Sequence, residues 1–247
     1  MPAFPTTRHS VIERLRTGEG TPRRDAFGDL ATGYWKPIYK YLRVKWRLAP
    51  EAAEDATQAF FTEAFEKSWL ERYDPAQARF RTFVRLCVDR LVMNRQQAEG
   101  RTRRGGDARV ISMDGADGFD GFNFGAAEHE LLEQALSSPP EAEEMFQREF
   151  VRALFDRAVE SVRQDCATRH RELHWRLFER YDLSPAADVS YAALAAEFDL
   201  TLGQVTGYLA QMRTAFRTHV VGALETLCLD RDEFRREARD LLGLEIE

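Results

Sequence analysis

Apolar residues return three and four positions apart along nearly all of this 247-residue chain, as in Phe80, Val84, Cys87 and Leu91, and no alternating run of β-branched residues bounded by turn pairs interrupts them. That spacing gathers side chains on one face of a helix, whereas a strand requires a period of two. The expected fold is all-α: two small helical domains joined by an acidic flexible linker.

Composition shifts set the domain limits. Residues 1–24 read as an N-terminal extension with a short helix over 8–17, ending at Gly18 and Gly20. Residues 25–104 read as a first domain of three longer helices. One runs from Asp25 to Arg47 with Phe27, Leu30, Tyr34, Ile38, Tyr41 and Leu42 inward and Pro37 bending it. The next starts at Pro50, suited to a first helical position, with Glu51, Glu54 and Asp55 against the positive end of the macrodipole. The third is "DPAQARFRTFVRLCVDRLVMNR", Asp74–Arg95; its second apolar arc at Leu86 and Met93 implies contact from two sides. Residues 105–144 are glycine-rich and acidic and read as linker, with one short helix around 126–136.

A second domain follows over 145–228, then an amphipathic helix within 229–247, from Asp230 to Leu242, that could brace this domain or offer a regulatory surface. "YAALAAEFDLTLGQVTGYLAQMRTAFR", starting at Tyr191, has the layout of a helix-turn-helix: a short helix, a tight turn, and a second helix from Leu202 with Thr201 and Gln204 as a capping box. Val205, Leu209 and Met212 are expected inward, and Gln204, Thr206, Gly207, Tyr208 and Gln211 outward.

Charge is unevenly spread. The formal net charge is −6, yet residues 71–104 hold nine arginines against four acids, a local +5 that leaves −11 for the rest. Overall acidity argues against indiscriminate nucleic-acid binding. The cationic segment interleaves Arg79, Arg81, Arg85, Arg90 and Arg95 with Phe80 and Phe83, and with Asn94, a mixture suited to single-stranded DNA: guanidinium groups along phosphates, rings for unstacked bases. Arg101, Arg103 and Arg104 extend the track. A solvated face paired with neighbouring acids is the alternative.

In this order the segments resemble a bacterial RNA polymerase sigma factor of the sigma-70 superfamily, of the extracytoplasmic-function type, over about Asp25–Thr218. "EDATQAFF" is similar to the family's polymerase-docking segment, "DPAQARFRTFV" to its promoter-melting segment, and "YAALAAEFDLTLGQVTGYLAQMRTAFR" to its upstream-element domain. The resemblance implies a region 2-like bundle and a region 4-like helix-turn-helix domain. It also implies binding to core RNA polymerase at the beta-prime coiled coil and beta flap, with Glu54, Asp55, Gln58, Phe61 and Phe65 as polymerase contacts. The cationic helix would bind and open the minus-10 element. Thr201, Gln204, Thr206, Gly207, Tyr208, Gln211, Arg213 and Arg217 would bind the minus-35 element of promoter DNA. An anti-sigma factor or another regulator is a further implied partner.

This chain departs from the family pattern at Asp89 and Arg90, where many members carry an arginine–asparagine pair, and at Thr206, Tyr208 and Gln211, where lysine and arginine are common. The acidic linker could imitate nucleic acid in the polymerase channels or only keep a tether soluble.

Other chemistries find little footing. Three dispersed cysteines, Cys87, Cys166 and Cys228, suggest neither disulfides nor a thiolate metal site and are expected as buried thiols. Asp114, Asp117 and Asp120 miss the spacing of a calcium loop. "HRELH" at His170–His174 has Arg171 where a zinc protease needs glutamate. No phosphate loop or nucleophile turn is evident, so no enzyme activity, metal or cofactor is expected. No run approaches the roughly 20 apolar residues of a membrane span, and a cytoplasmic location without membrane association is expected. The rival functions are a stand-alone helix-turn-helix regulator of duplex DNA and a polymerase-binding adaptor without promoter recognition.

Overall fold

The computed structural model describes residues 14–15, 21–67, 69, 73–74, 77–103, 140–184 and 189–246. The described residues are mostly helical, with no strand among them. Of the short helix expected over 8–17, Arg14 and Leu15 are described and helical; the rest, like the helix expected around 126–136 and the linker aspartates, lies outside the described residues. Two compact units divide the chain after Phe150.

The first unit is built on α1 (Thr21–Lys45), α2 (Pro50–Glu66) and α3 (Phe80–Arg103). Along α1, Ala26, Leu30, Tyr34, Ile38 and Leu42 recur at helical spacing and are buried, and the helix runs on through Pro37. Pro50 opens α2 at a position where its missing N–H costs nothing, and Ala53, Ala56 and Thr57 are small enough to let backbones approach before Phe60, Phe61 and Ala64 fill the core. In α3, Phe80, Val84, Cys87 and Leu91 form a buried arc that is widened on one side by Phe83 and Leu86 and on the other by Val88 and Val92. An apolar face this wide must be covered by more than one neighbour.

A buried ionic cluster ties the end of α1 to α3. The Asp89 carboxylate accepts from Tyr41 Oη at 2.9 Å and Lys45 Nζ at 2.7 Å on one oxygen, and from Trp46 Nε1 at 2.8 Å on the other. Three donors meet a carboxylate that is almost wholly removed from water, the condition under which a buried charge is tolerable.

Helix α4 (Pro140–Thr168) begins five residues before the expected second domain. The division after Phe150 leaves Met145–Phe150, expected in that domain, within the first unit. The cause is aromatic: Phe150 packs on Tyr34 with ring centroids 4.9 Å apart, and Phe146 on Tyr41 at 5.8 Å.

The second unit contains the remainder of α4, α5 (Glu172–Phe178) continuing as a π-helical turn over Glu179–Leu183, α6 (Tyr191–Glu197), α7 (Leu202–Thr226) and α8 (Arg231–Leu242). Its core joins Val162 and Cys166 of α4, Leu177 and Phe178 of α5, Leu194 of α6, and Val205, Leu209 and Met212 of α7. Asp230 caps α8 by accepting from Glu233 N at 2.8 Å, and Gly243 stops it in the left-handed conformation, φ 65°. Helix α8 packs on α7 with Phe234 and Ala238 buried, so this segment braces the second unit. All three cysteines are free and buried, and burial pushes the Cys87 thiol far above its ordinary range.

Candidate functional site

The helix-turn-helix forms from local rules. Ser190 caps α6 by accepting from Ala193 N at 3.1 Å. Asp199 takes the left-handed conformation, φ 51°, which lets Leu200 N reach back to Ala195 O at 2.8 Å and close the end of the helix. Thr201 Oγ1 then accepts from Gln204 N at 3.2 Å while Thr201 N donates to Gln204 Oε1 at 2.9 Å, the reciprocal capping box that starts α7.

Val205, Leu209 and Met212 face the core, and Thr201, Gln204, Thr206 and Gln211 are exposed. Gly207 and Tyr208 are half-buried, the Tyr208 ring lying 4.0 Å from the His174 imidazole. Leu202, at the first position of α7, is an exposed apolar side chain at 56%. The two histidines of "HRELH" do not share a helix: His170 sits in a turn with φ 52°, while His174 lies within α5. Among the described residues no cluster of His, Cys, Asp or Glu could hold a metal ion.

The two arginines expected to supply charge to α7 differ. Arg217 is exposed. Arg213 is bound to Asp182 through Nη2 at 2.9 Å and Nε at 3.1 Å and to Tyr191 Oη at 3.1 Å, with its guanidinium 5.5 Å from the Tyr181 ring centre. Its hydrogen bond to Asp182 is the chief reason its pKa is raised further above the ordinary arginine range. The N-terminal face of α7, from Thr201 to Gln211, is without basic residues.

In the first unit, Glu54, Asp55 and Gln58 share an exposed stretch of α2. Phe61 is not presented beside them: it is buried, stacked on Trp35 at 5.6 Å and edge-on to Phe60 at 5.2 Å. Phe65 is half-buried, between Phe27 at 4.9 Å and the Arg23 guanidinium at 4.9 Å.

The rings expected to stack bases also turn inward. Phe80 and Phe83 are each 2% exposed, Phe80 packing edge-on against Tyr73 at 5.0 Å and Tyr34 at 5.6 Å, and Phe83 against Tyr73 at 5.5 Å. Both sit on the apolar face of α3, where the energy of burial outweighs display to solvent. The cationic groups divide. Arg85 is 6% exposed and pairs with Glu143 at 2.9 Å, whereas Arg79, Arg81 and Arg90 are half-buried and Asn94 and Arg95 are exposed. Arg101 and Arg103 belong to α3, but their side chains, and all of Arg104, lie outside the described residues.

Glu143 and Gln147 were concealed by the assignment of the first to linker and the second to a separate domain. They border a cleft of about 220 Å³ with Arg79, Arg81, Thr82 and Arg85. The spacing Ala142, Phe146, Phe150 is the signal that could have joined them to the first unit, since all three are buried at helical intervals.

No helix among the described residues is long and apolar enough to cross a membrane. No protein-family model, curated protein or solved structure matches the chain.

Proposed function

We propose that this chain is a sigma factor of the extracytoplasmic-function type, which binds core RNA polymerase and directs promoter-specific transcription initiation. The supporting observation is an arrangement: a helical bundle whose α2 exposes Glu54, Asp55 and Gln58, followed by a separate unit with a capped helix-turn-helix. Carboxylate and amide groups on adjacent helical turns suit a polar interface with a polymerase coiled coil. The exposed Thr206 and Gln211, with the amide NH2 of Gln204 that the capping box leaves over, carry groups able to read base edges in a major groove.

The strand-opening role rests on other groups than first expected. Phe80 and Phe83 hold α3 in the bundle, and contact with separated strands falls to Arg79, Arg81, Arg90, Asn94 and Arg95, which bind phosphates and base edges rather than supply rings. One observation favours a second reading, an adaptor that docks on polymerase without reading a minus-35 sequence: with Arg213 engaged by Asp182, α7 offers little charge to a phosphate backbone.

Association with core RNA polymerase tests the docking assignment. Replacing Asp55 and Gln58 together by alanine is expected to weaken co-purification with core enzyme by tenfold or roughly so, with the thermal unfolding of the chain unchanged. Undiminished association of this double variant removes the assignment.

A further inference from the structure

The cleft in the first unit carries charged groups of both signs. Arg79, Arg81 and Arg85 line one side with Thr82, and Glu143 and Gln147 of α4 line the other. Three of the lining residues are arginines and one is a glutamate. Arg85 is the anchor, its side chain only 7% exposed. Its Nη2 lies 2.9 Å from Glu143 Oε1, but its Nη1 is buried and has no hydrogen-bond partner. A buried guanidinium normally spends both arms of its fork on a planar or tetrahedral oxyanion, and an unspent arm carries a desolvation cost.

The carboxylate that occupies the cleft is poorly secured. The Glu143 side chain is 53% exposed and projects from the first turn of α4, so it can leave for water without disturbing the core. A phosphate group suits the cleft better. Glu143 meets Arg85 through Nη2 alone, and once that carboxylate has left a phosphate offers enough oxygens to take Nη2 and the unspent Nη1 together. The buried Phe146 beside the cleft keeps water from one wall, which strengthens any ionic contact made there.

We infer that the Arg79–Arg81–Arg85 cleft is a phosphate-binding site and that Glu143 is its built-in competitor, an acid that stands where a phosphate must bind. The inference rests on reading α3 as the strand-contacting helix. It adds that access is regulated: a phosphate diester of single-stranded nucleic acid binds this cleft by displacing the Glu143 side chain, with the helix of α4 left in place. A free phosphate ion shares that chemistry and is separated from the nucleic acid by experiment.

The test uses the full chain without polymerase, a fluorescein-labelled single-stranded oligo-dT followed by anisotropy, and inorganic phosphate followed by thermal unfolding. Glu143→Gln is expected to tighten oligonucleotide binding about fivefold and to steepen the dependence on salt by about 0.7, one phosphate contact. Glu141→Gln, an equal change of charge on an exposed neighbour, is expected to leave both unchanged. Adding Arg85→Lys to Glu143→Gln should abolish the gain, because a lysine lacks the fork. A rise in phosphate-induced stability without a rise in oligonucleotide affinity assigns the cleft to the free ion. The inference is overturned if Glu143→Gln yields neither gain, if Glu141→Gln yields an equal one, or if the double variant keeps it. A chain that gains oligonucleotide affinity yet never initiates with core polymerase keeps the cleft and loses the sigma-factor reading; the reverse result does the opposite.

Discussion

Substituting Phe83 separates a core ring from a DNA-stacking ring. Phe83 is 2% exposed and meets Tyr73 at 5.5 Å and Phe80 at 6.2 Å. Truncation to alanine deletes a fully buried phenyl group and leaves a cavity between α3 and Tyr73, at a cost of about 3–5 kcal/mol. That is a large part of the roughly 5–15 kcal/mol available to a whole domain. Phe83→Leu retains most of the volume and should cost less than about 1.5 kcal/mol, while removing the flat face that a base would stack on. Urea unfolding followed by circular dichroism measures both variants, and anisotropy with single-stranded oligo-dT measures their binding. The packing predicts a strongly destabilised alanine variant and a leucine variant with native oligonucleotide affinity. If the alanine variant loses less than about 1 kcal/mol, or the leucine variant is stable but binds tenfold more weakly, the ring works at the surface and the account of α3 fails.

Three further outcomes follow from the same structure. Asp89→Ala should destabilise the first unit by about 3–5 kcal/mol, read as a lowered Tm, because Lys45 loses its partner in a nearly dry setting; Lys45→Met in the same chain should recover part of the loss. Asp182→Asn should release Arg213 and steepen the salt dependence of duplex DNA binding by up to about 0.9, whereas Arg213→Ala in the native background should leave it unchanged. Desolvation first, and the nearby Arg171 second, lower the His174 pKa below the ordinary imidazole value of 6.5. The unfolded chain then binds the proton more readily, so the stability from this residue is complete above the unfolded pKa and declines as pH falls through it towards the folded one. Tm measured from pH 7.5 downward should show this decline, and His174→Gln should remove it.

The helices were largely legible because their causes are local. Pro50 at the start of α2, the Thr201–Gln204 box and the Asp230 cap act within four residues, and each can be read from neighbours in the chain. Partnerships across the fold were not. Asp182 lies 31 residues from Arg213, and the partners of Asp89 lie 43 to 48 residues away, so no window of sequence brings them together. The burial of Phe80 and Phe83 is hidden from the sequence for a related reason. Periodicity marks the apolar positions of α3, but which of them are covered depends on Tyr34 of α1, far off in the sequence, and on how the non-helical segment that carries Tyr73 folds back on the helix. Glu143 was hidden by composition: its segment is acidic and follows paired prolines, so the buried stripe from Ala142 to Phe150 was divided between a linker and the next domain.

Initiation with core RNA polymerase on a library of random promoters is the most direct measure of the central claim. The account predicts discrete start sites that share a common upstream element near position minus 10, and loss of open complexes, with polymerase binding intact, when Arg79, Arg81 and Arg90 are replaced together by glutamine. Absence of initiation from every template despite bound polymerase, or tight binding to a duplex palindrome with no polymerase present, contradicts it.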